Sequence, residues 1–220
     1  MKMRIIEAIL FDMDGVLVDS EIPLMKCCIK HLKEKYGIDA KLEDFNDFVG
    51  MGEDAAIGGV VEKNGGTYLP QMKDECYEIY IQLAGTIVDA APNMSTVLPE
   101  LKKKYRLAVA SSADRRKVVT NINVLGVDES VFDAVITGSD IKNKKPDPEI
   151  YLKAAAAVGI APENCMVVED AVAGVLSGKA AGCYVAGVKG SFGKDELIGA
   201  GADAFVDTTC DIVDILESFC

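Results

Sequence analysis

One stretch constrains this chain more than any other: a mostly apolar run at residues 5–11 that ends at two acids, Asp12 and Asp14. Such a run is typical of a strand buried on both faces of a parallel sheet. Because residues two apart in a strand point the same way, we expect both carboxylates at the carboxyl edge of that sheet, where open α/β folds bind ligands. Two like charges this close favour a hard divalent cation, most simply Mg²⁺, although a surface turn ending at Gly15 is the alternative.

The second half of the chain alternates between strand and helix patterns. Further apolar strands are predicted at residues 107–110, 134–137, 165–168, 183–188 and 204–206, most of them separated by helical patterns. Repeated strand–helix alternation predicts an α/β fold, in which helices cover both faces of a Rossmann-like parallel sheet. Residues 19–90 instead show helical patterns throughout. We therefore expect two domains: a core formed by residues 1–18 and 91–220, and an all-helical domain, residues 19–90, inserted after the first strand.

Composition and charge narrow the classes of function. The 220-residue chain has a formal net charge of −12, which argues against partners that are nucleic acids or anionic membrane surfaces. It has no run of 18 apolar residues, and the chain begins so close to the first strand that we expect no signal peptide. Its seven cysteines are scattered and a single histidine accompanies them, so neither a disulfide framework nor a zinc site is expected. We expect a cytoplasmic protein, a monomer or weak homodimer.

Polar residues follow three other predicted strands. Ser111 comes after the second core strand, Lys145 lies in the loop after the third, and Glu169 and Asp170 follow the fourth. Each is ordinary alone, since a serine after a strand is often a helix cap and acids often precede a helix. Together with the first two acids they place four carboxyl groups, one hydroxyl and one amine at one sheet edge. This set suits phosphoryl transfer, which needs a carboxylate nucleophile, a metal and a proton donor.

These motifs resemble those of the haloacid dehalogenase (HAD) superfamily. Residues 12–21, Asp-Met-Asp-Gly-Val-Leu-Val-Asp-Ser-Glu, resemble its first motif, and Ser111 resembles its second. Lys145-Pro146 resembles the third motif, and Glu169-Asp170 with Gly174 the fourth, all in the family's order and spacing. The resemblance covers the whole chain and is closest to the β-phosphoglucomutase-like and phosphoglycolate-phosphatase-like branch. It implies the HAD fold, in which the helical insertion is a cap domain.

The resemblance also implies a role for each core residue. Asp12 would attack phosphorus and form an aspartyl-phosphate, and Asp14 would protonate the leaving oxygen and then accept a proton from the incoming water or alcohol. Ser111 would hydrogen-bond a phosphoryl oxygen, while Lys145 would neutralise charge on Asp12 and on the phosphoryl group. The implied ligands of Mg²⁺ are Asp12, Asp170 and the backbone carbonyl of Asp14, together with Glu169, which would bind the ion directly or through water. Substrate contacts are expected from Gly15, Ser20 and Ser112.

Two residue positions in the cap bear on the reaction type. Mutases of this branch hold a second phosphate with a histidine in the first cap helix and a cap arginine. Here Leu24 stands at the histidine position, the expected arginine loop reads Gly-Met-Gly-Glu-Asp at residues 50–54, and all four arginines lie outside residues 19–90. A cap lysine, Lys63 or Lys73, could substitute only as a point charge.

We therefore expect a Mg²⁺-dependent phosphatase that acts on a small phosphorylated metabolite, such as a sugar phosphate. A β-phosphoglucomutase-type mutase is the alternative. A non-catalytic phosphate-binding protein is the third interpretation, and the retention of Asp12, Asp14 and Lys145 argues against it.

Overall fold

The computed structural model describes residues 5–48 and 52–219, and a six-stranded parallel sheet dominates it. The strands are β1 (Ala8–Phe11), β2 (Val18–Asp19), β3 (Asp89–Ala90), β4 (Arg106–Ala110), β5 (Ala134–Ile136), β6 (Cys165–Glu169), β7 (Tyr184–Val188) and β8 (Ala204–Val206). The helices are α1 (Glu21–Tyr36), α2 (Glu53–Lys63), α3 (Gln71–Ile87), α4 (Met94–Lys102), α5 (Arg115–Val124), α6 (Glu149–Val158), α7 (Val172–Ala180), α8 (Lys194–Gly199) and α9 (Ile212–Glu217). The sheet order is β5-β4-β1-β6-β7-β8.

The central strand β1 is buried on both of its faces, as the apolar run predicts. Ala8 and Leu10 point to one side and Ile9 and Phe11 to the other, and all four are fully buried. On the first side they join a core cluster to which α6 contributes Ile150. The α/β fold class and the Rossmann-like parallel sheet are therefore confirmed. The strand is shorter than the run at residues 5–11, because it begins where β4 and β6 flank it.

The register of the three middle strands aligns their carboxyl ends. Phe11 lies opposite Val109 of β4 and Val168 of β6. The residues that follow these positions therefore meet at one edge of the sheet. This alignment places Asp12 level with Glu169 and next to the start of the loop that carries Ser111.

The chain divides into two compact units, one formed by Met1–Val18 with Asp89–Cys220 and the other by Asp19–Val88. The second unit contains α1, α2, α3 and a 3₁₀ helix at Leu42–Phe48. Helix α1 ends at Gly37, whose φ of 69° is the left-handed conformation that glycine adopts readily.

The observed division falls at 18/19 and 88/89, where the sequence predicts 18/19 and 90/91. The two-residue strands β2 and β3 pair with each other near these positions, and they are too short to leave a sequence pattern. Among the described residues, no helix combines the length and the apolar character that a membrane span requires.

Candidate active site

A tight turn follows β1 and separates the first two acids. The backbone N–H of Asp12 still bonds to the Val168 carbonyl at 3.0 Å, but the N–H groups of Leu17 and Val18 both return to the Met13 carbonyl. Since the strand ends at Phe11, the two-residue alternation does not extend to Asp14. The acids whose ligand oxygens converge with those of Asp12 are Glu169 and Asp170, whereas Oδ2 of Asp14 accepts a hydrogen bond from Lys117.

Lys145 bridges two acids of this group. Its Nζ lies 2.5 Å from Oδ1 of Asp12 and 2.6 Å from Oε1 of Glu169, and it also donates to the Ala110 carbonyl at 3.2 Å. The Lys145 side chain is 10% exposed and that of Glu169 only 1%. Burial by itself lowers the pKa of Lys145, but the charges of Asp12 and Glu169 outweigh it and raise that pKa overall. Lys145 is therefore a fixed cation between two carboxylates.

The three acids together suit a divalent cation. Ligand oxygens of Asp12, Glu169 and Asp170 lie within 4.8 Å of one another. Burial raises the pKa of Asp12 well above its usual range, because Lys145 only partly offsets the loss of water and the repulsion from Glu169. Burial likewise raises the pKa of Asp170. Three carboxylates thus face one lysine in a poorly hydrated site, and oxygen ligands of this kind bind hard cations such as Mg²⁺.

Glycines leave the space that these carboxylates occupy. A Cβ added to Gly15 or Gly190 would overlap the Asp170 side chain, and one added to Gly174 would overlap the carboxylate of Glu169. Gly15 also has a φ of 74°, a conformation that other residues rarely adopt. The turn after β1, helix α7 and the loop after β7 therefore approach Glu169 and Asp170 closely. An acidic cluster of Asp12, Glu169 and Asp170 therefore lies where the sequence predicts a metal ion, and its chemistry fits Mg²⁺; the binding of an ion by these residues and by the Asp14 backbone carbonyl stays a prediction.

Two further contacts orient Glu169 and Asp170, and sequence analysis did not predict either. The Tyr151 hydroxyl donates to Oε1 of Glu169 at 2.7 Å, and its ring centroid lies 4.9 Å from Nζ of Lys145. Burial, reinforced by the charge of Glu169, raises the pKa of Tyr151, which keeps this hydroxyl a donor. The backbone N–H of Ser191 donates to Oδ2 of Asp170 at 2.9 Å. Such partners fix the direction in which a ligand oxygen points.

Asp14 has its own lysine, which sequence analysis also missed. Nζ of Lys117 donates to Oδ2 of Asp14 at 2.9 Å, and the two side chains are 4% and 17% exposed. Lys117 follows two other basic residues at the start of α5, so the sequence pattern predicts that all three side chains are solvated. The only signal is its position beside Val118 and Ile122, which form the buried stripe of that helix.

The predicted phosphate- and substrate-binding residues fall in different places. Ser111 is buried after β4, where its Oγ accepts a hydrogen bond from the Ala113 N–H at 3.2 Å. Ser112 continues the same loop, and its carbonyl packs so closely on Gly138 that a side chain there would overlap it. Ser20 is fully buried and belongs to the other compact unit, directly before α1. The structure brings Asp12, Lys145, Glu169 and Asp170 together. The catalytic and metal-binding roles, and the substrate roles of Gly15, Ser20 and Ser112, stay predictions.

A family model for haloacid dehalogenase-like hydrolases matches residues 9–188. This chain belongs to that family. A phosphorylated carbohydrates phosphatase of Thermotoga maritima is 32% identical over 207 residues, which cover 91% of this chain and 94% of that protein. The β-phosphoglucomutase of Bacillus subtilis is 28% identical over 218 residues, with coverages of 94% and 91%. The predicted enzyme class, a HAD-family phosphoric monoester hydrolase, is confirmed.

A longer relative and a solved structure extend the comparison. The chloroplastic protein SUPPRESSOR OF QUENCHING 1 of Arabidopsis thaliana is 35% identical over 207 residues, but this chain spans only 20% of its length. The crystal structure of CbbY from Rhodobacter sphaeroides in complex with phosphate superimposes with a TM-score of 0.83 at 25% identity. That match covers 94% of this HAD hydrolase and 96% of CbbY.

Proposed function

We propose that this HAD hydrolase is a Mg²⁺-dependent phosphatase that hydrolyses a small phosphorylated metabolite, such as a sugar phosphate, through an aspartyl-phosphate on Asp12. The observation that carries the proposal is the contact of Lys145 with both Asp12 and Glu169 inside the group of three acids. A phosphate dianion repels a carboxylate nucleophile, so positive charge must be fixed beside both. The named phosphatase relative and the phosphate-bound CbbY structure support the same substrate class.

The residues of the core divide the reaction into two displacements at phosphorus. In the first, a carboxylate oxygen of Asp12 forms a bond to phosphorus while the ester oxygen leaves and takes a proton from Asp14. In the second, water attacks phosphorus, Asp14 accepts its proton, and the bond to Asp12 breaks to release inorganic phosphate. Lys145 holds a positive charge beside the nucleophile throughout, and the Ser111 hydroxyl would donate a hydrogen bond to a phosphoryl oxygen.

Asp12, Glu169, Asp170 and the backbone carbonyl of Asp14 would hold the cation. When bound, Mg²⁺ would supply a Lewis acid that offsets the negative charges of the nucleophile and the phosphoryl group. Tyr151 and the Ala171 N–H each hold one oxygen of Glu169, at 2.7 and 3.1 Å. These contacts keep both carboxylate oxygens of Glu169 in fixed directions.

The charged side chains of the helical unit bear on the mutase alternative. Leu24, at the position where a mutase is expected to carry histidine, is 6% exposed on α1. The two candidate lysines are both engaged by acids of the same unit: Lys63 lies 2.8 Å from Asp47, and Lys73 lies 2.6 Å from Asp54. Residues 50 and 51 of the loop expected to carry the arginine lie outside the described residues. A second phosphate dianion would therefore compete with carboxylates for these lysines, which favours hydrolysis.

The two reactions are distinguished by their products. The protein is incubated with β-glucose 1-phosphate, Mg²⁺ and a trace of glucose 1,6-bisphosphate, while free phosphate and glucose 6-phosphate are both followed. A parallel panel of small sugar phosphates and one folded phosphoprotein defines the substrate class. We expect phosphate release from at least one sugar phosphate, little glucose 6-phosphate, and slow release from the phosphoprotein. Rapid bisphosphate-dependent formation of glucose 6-phosphate without free phosphate would instead establish the mutase.

A further inference from the structure

Lys117 differs from its neighbours at the start of α5. Arg115 and Arg116 are exposed and pair with acids near the surface, Glu129 and Asp114 respectively. Lys117 instead turns inward, and at 4% its side chain is less exposed than that of Lys145 at 10%. Burying an ammonium group is costly unless a charged partner compensates it. The partner is Asp14, so each of the two acids after β1 has its own buried lysine.

The helix that carries Lys117 is well anchored. The side chain of Asp114 accepts a hydrogen bond from the Arg116 N–H at 2.9 Å, which caps the first turn of α5. Val118 and Ile122 on the same helix are fully buried. Lys117 therefore projects from a rigid element, and its contact with Oδ2 restricts the rotation of the Asp14 carboxylate.

We propose that Lys117 is a positioning residue for Asp14, which it holds in the orientation needed to exchange a proton with the leaving oxygen. This inference rests on the proposed phosphatase function, in which Asp14 is the proton donor. The competing explanation is a purely structural ion pair that joins α5 to the loop after β1. Buried pairs of that kind are common and are by themselves weak evidence for a role in catalysis.

The two explanations differ in how the loss of Lys117 depends on the leaving group. An alkoxide is a poor leaving group and needs a proton as the bond to phosphorus breaks, whereas p-nitrophenolate departs without one. A misplaced Asp14 should therefore slow the cleavage of an alkyl ester much more than that of an aryl ester. A structural defect would lower both rates by similar factors. Benzyl phosphate and p-nitrophenyl phosphate provide two substrates of comparable size.

The experiment measures kcat/KM for both esters with Mg²⁺ in the wild type, Lys117→Met, Asp14→Asn and the double variant. Lys179→Met is the control for loss of a lysine charge, since Lys179 forms a partly exposed ion pair with Asp203 at 2.7 Å outside the proposed site. We expect Lys117→Met to lower kcat/KM for benzyl phosphate about 10- to 100-fold and for p-nitrophenyl phosphate less than about 3-fold. The double variant should be no more than about 3-fold worse than Asp14→Asn, because Lys117 acts through Asp14. The control should match the wild type.

The remaining outcomes separate this inference from the function on which it rests. Equal losses for the two esters, or losses that multiply in the double variant, would overturn the role of Lys117 and leave the phosphatase intact. A wild-type protein that releases no phosphate from any ester would overturn both proposals. Melting curves identify unfolded variants; if Lys117→Met does not fold, Lys117→Gln is used in the same comparison. Lys117→Arg keeps the charge and should recover most of the benzyl phosphate activity.

Discussion

The charged side chains of the sheet edge and those of the helical unit are organised in opposite ways. At the sheet edge, Asp12 directly after β1 and Glu169 at the end of β6 both contact Lys145 and lose most of their contact with water; the Glu169 side chain is 1% exposed. In the helical unit the charged side chains pair across neighbouring helices and stay exposed to solvent. The Lys35 side chain, which contacts Glu75, is 51% exposed, and the Lys63 side chain, which contacts Asp47, is 41% exposed. Removing the sheet-edge charges from water costs free energy of folding, whereas the exposed ion pairs of the helical unit change the stability of the fold little.

The direction of the pKa shifts expresses the same difference. Burial raises the pKa of Asp12 and Asp170, whereas hydrogen bonds from Lys35, His31 and Tyr36 lower the pKa of Glu75 to about 2. Carboxyl groups that are buried although burial disfavours their charged form are candidates for binding and catalysis. Exposed pairs that satisfy each other contribute modestly to stability. Substitutions at the sheet edge should therefore lower catalytic activity, whereas substitutions of the ion pairs in the helical unit should lower the stability of the fold.

The largest effect is expected from Asp12→Asn. The substitution keeps the shape of the side chain but removes the nucleophilic carboxylate, so turnover should fall by at least about 10³-fold. Phosphate release with Mg²⁺ measures the loss, and the melting temperature verifies folding. Asp214→Asn, an equal charge change at an exposed position of α9, is the control and should retain full activity. Near-normal turnover of folded Asp12→Asn would refute the covalent mechanism.

Removal of the cation should have the next largest effect. A chelator is expected to abolish phosphate release, and added Mg²⁺ to restore it. Mg²⁺ at about 100 times its Kd should also stabilise the folded state by about 2.7 kcal/mol, which raises Tm by roughly 5–10 °C for a chain of this size. Asp170→Asn should lose most of this rise, because it removes one of the three convergent carboxylates. Full activity in demetallated protein, or an undiminished rise in Asp170→Asn, would contradict the assignment.

Sequence predicts the sheet edge well because strand ends are local signals and parallel strands meet at a common edge. Asp12 and Glu169 each follow an apolar run directly and Asp170 comes one residue later, so their convergence follows from the fold class. The side chains that contact the acids of this sheet edge cannot be predicted in the same way. Tyr151 occupies an apolar stripe of α6 and looks like a core residue, and Lys117 lies 103 residues from Asp14 in the chain. Their roles depend on the phase of a helix and on long-range packing, neither of which leaves a local pattern.

Tyr151→Phe measures what one of these orienting contacts contributes. The substitution removes only the hydroxyl that donates to Glu169, so we expect the Mg²⁺ concentration for half-maximal activity to rise about 10-fold. The turnover at saturating Mg²⁺ should change far less. Tyr80→Phe, which removes a hydroxyl from a fully buried tyrosine of the helical unit, should leave the Mg²⁺ requirement unchanged. Equal Mg²⁺ requirements in the wild type, Tyr151→Phe and Tyr80→Phe would show that the hydrogen bond from Tyr151 to Glu169 does not affect Mg²⁺ binding.

The smallest effect is expected in the helical unit, from Glu75→Gln. Glu75 on α3 contacts three residues of α1, His31, Lys35 and Tyr36, at 2.6–2.8 Å. Because these contacts are partly exposed, their loss should cost about 0.5–1 kcal/mol, or roughly 1–4 °C in Tm at pH 7. The turnover per folded molecule should change less than about twofold. Glu78→Gln, at an exposed position of the same helix, is the control and should melt like the wild type.

The pH dependence tests the cause of that small effect. The pKa of Glu75 is about 2 in the folded chain against an ordinary value of 4.5, so its contribution to stability is present above pH 4.5. It is lost as the pH falls from 4.5 towards 2, since the unfolded chain then takes up a proton that the folded chain does not. The difference in Tm between the wild type and Glu75→Gln should therefore narrow when melts are repeated at pH 5, 4 and 3. A gap that stays constant over this range would mean that packing, and not the charge of Glu75, joins α1 to α3. A loss of turnover in Glu75→Gln would remove the contrast between the two regions.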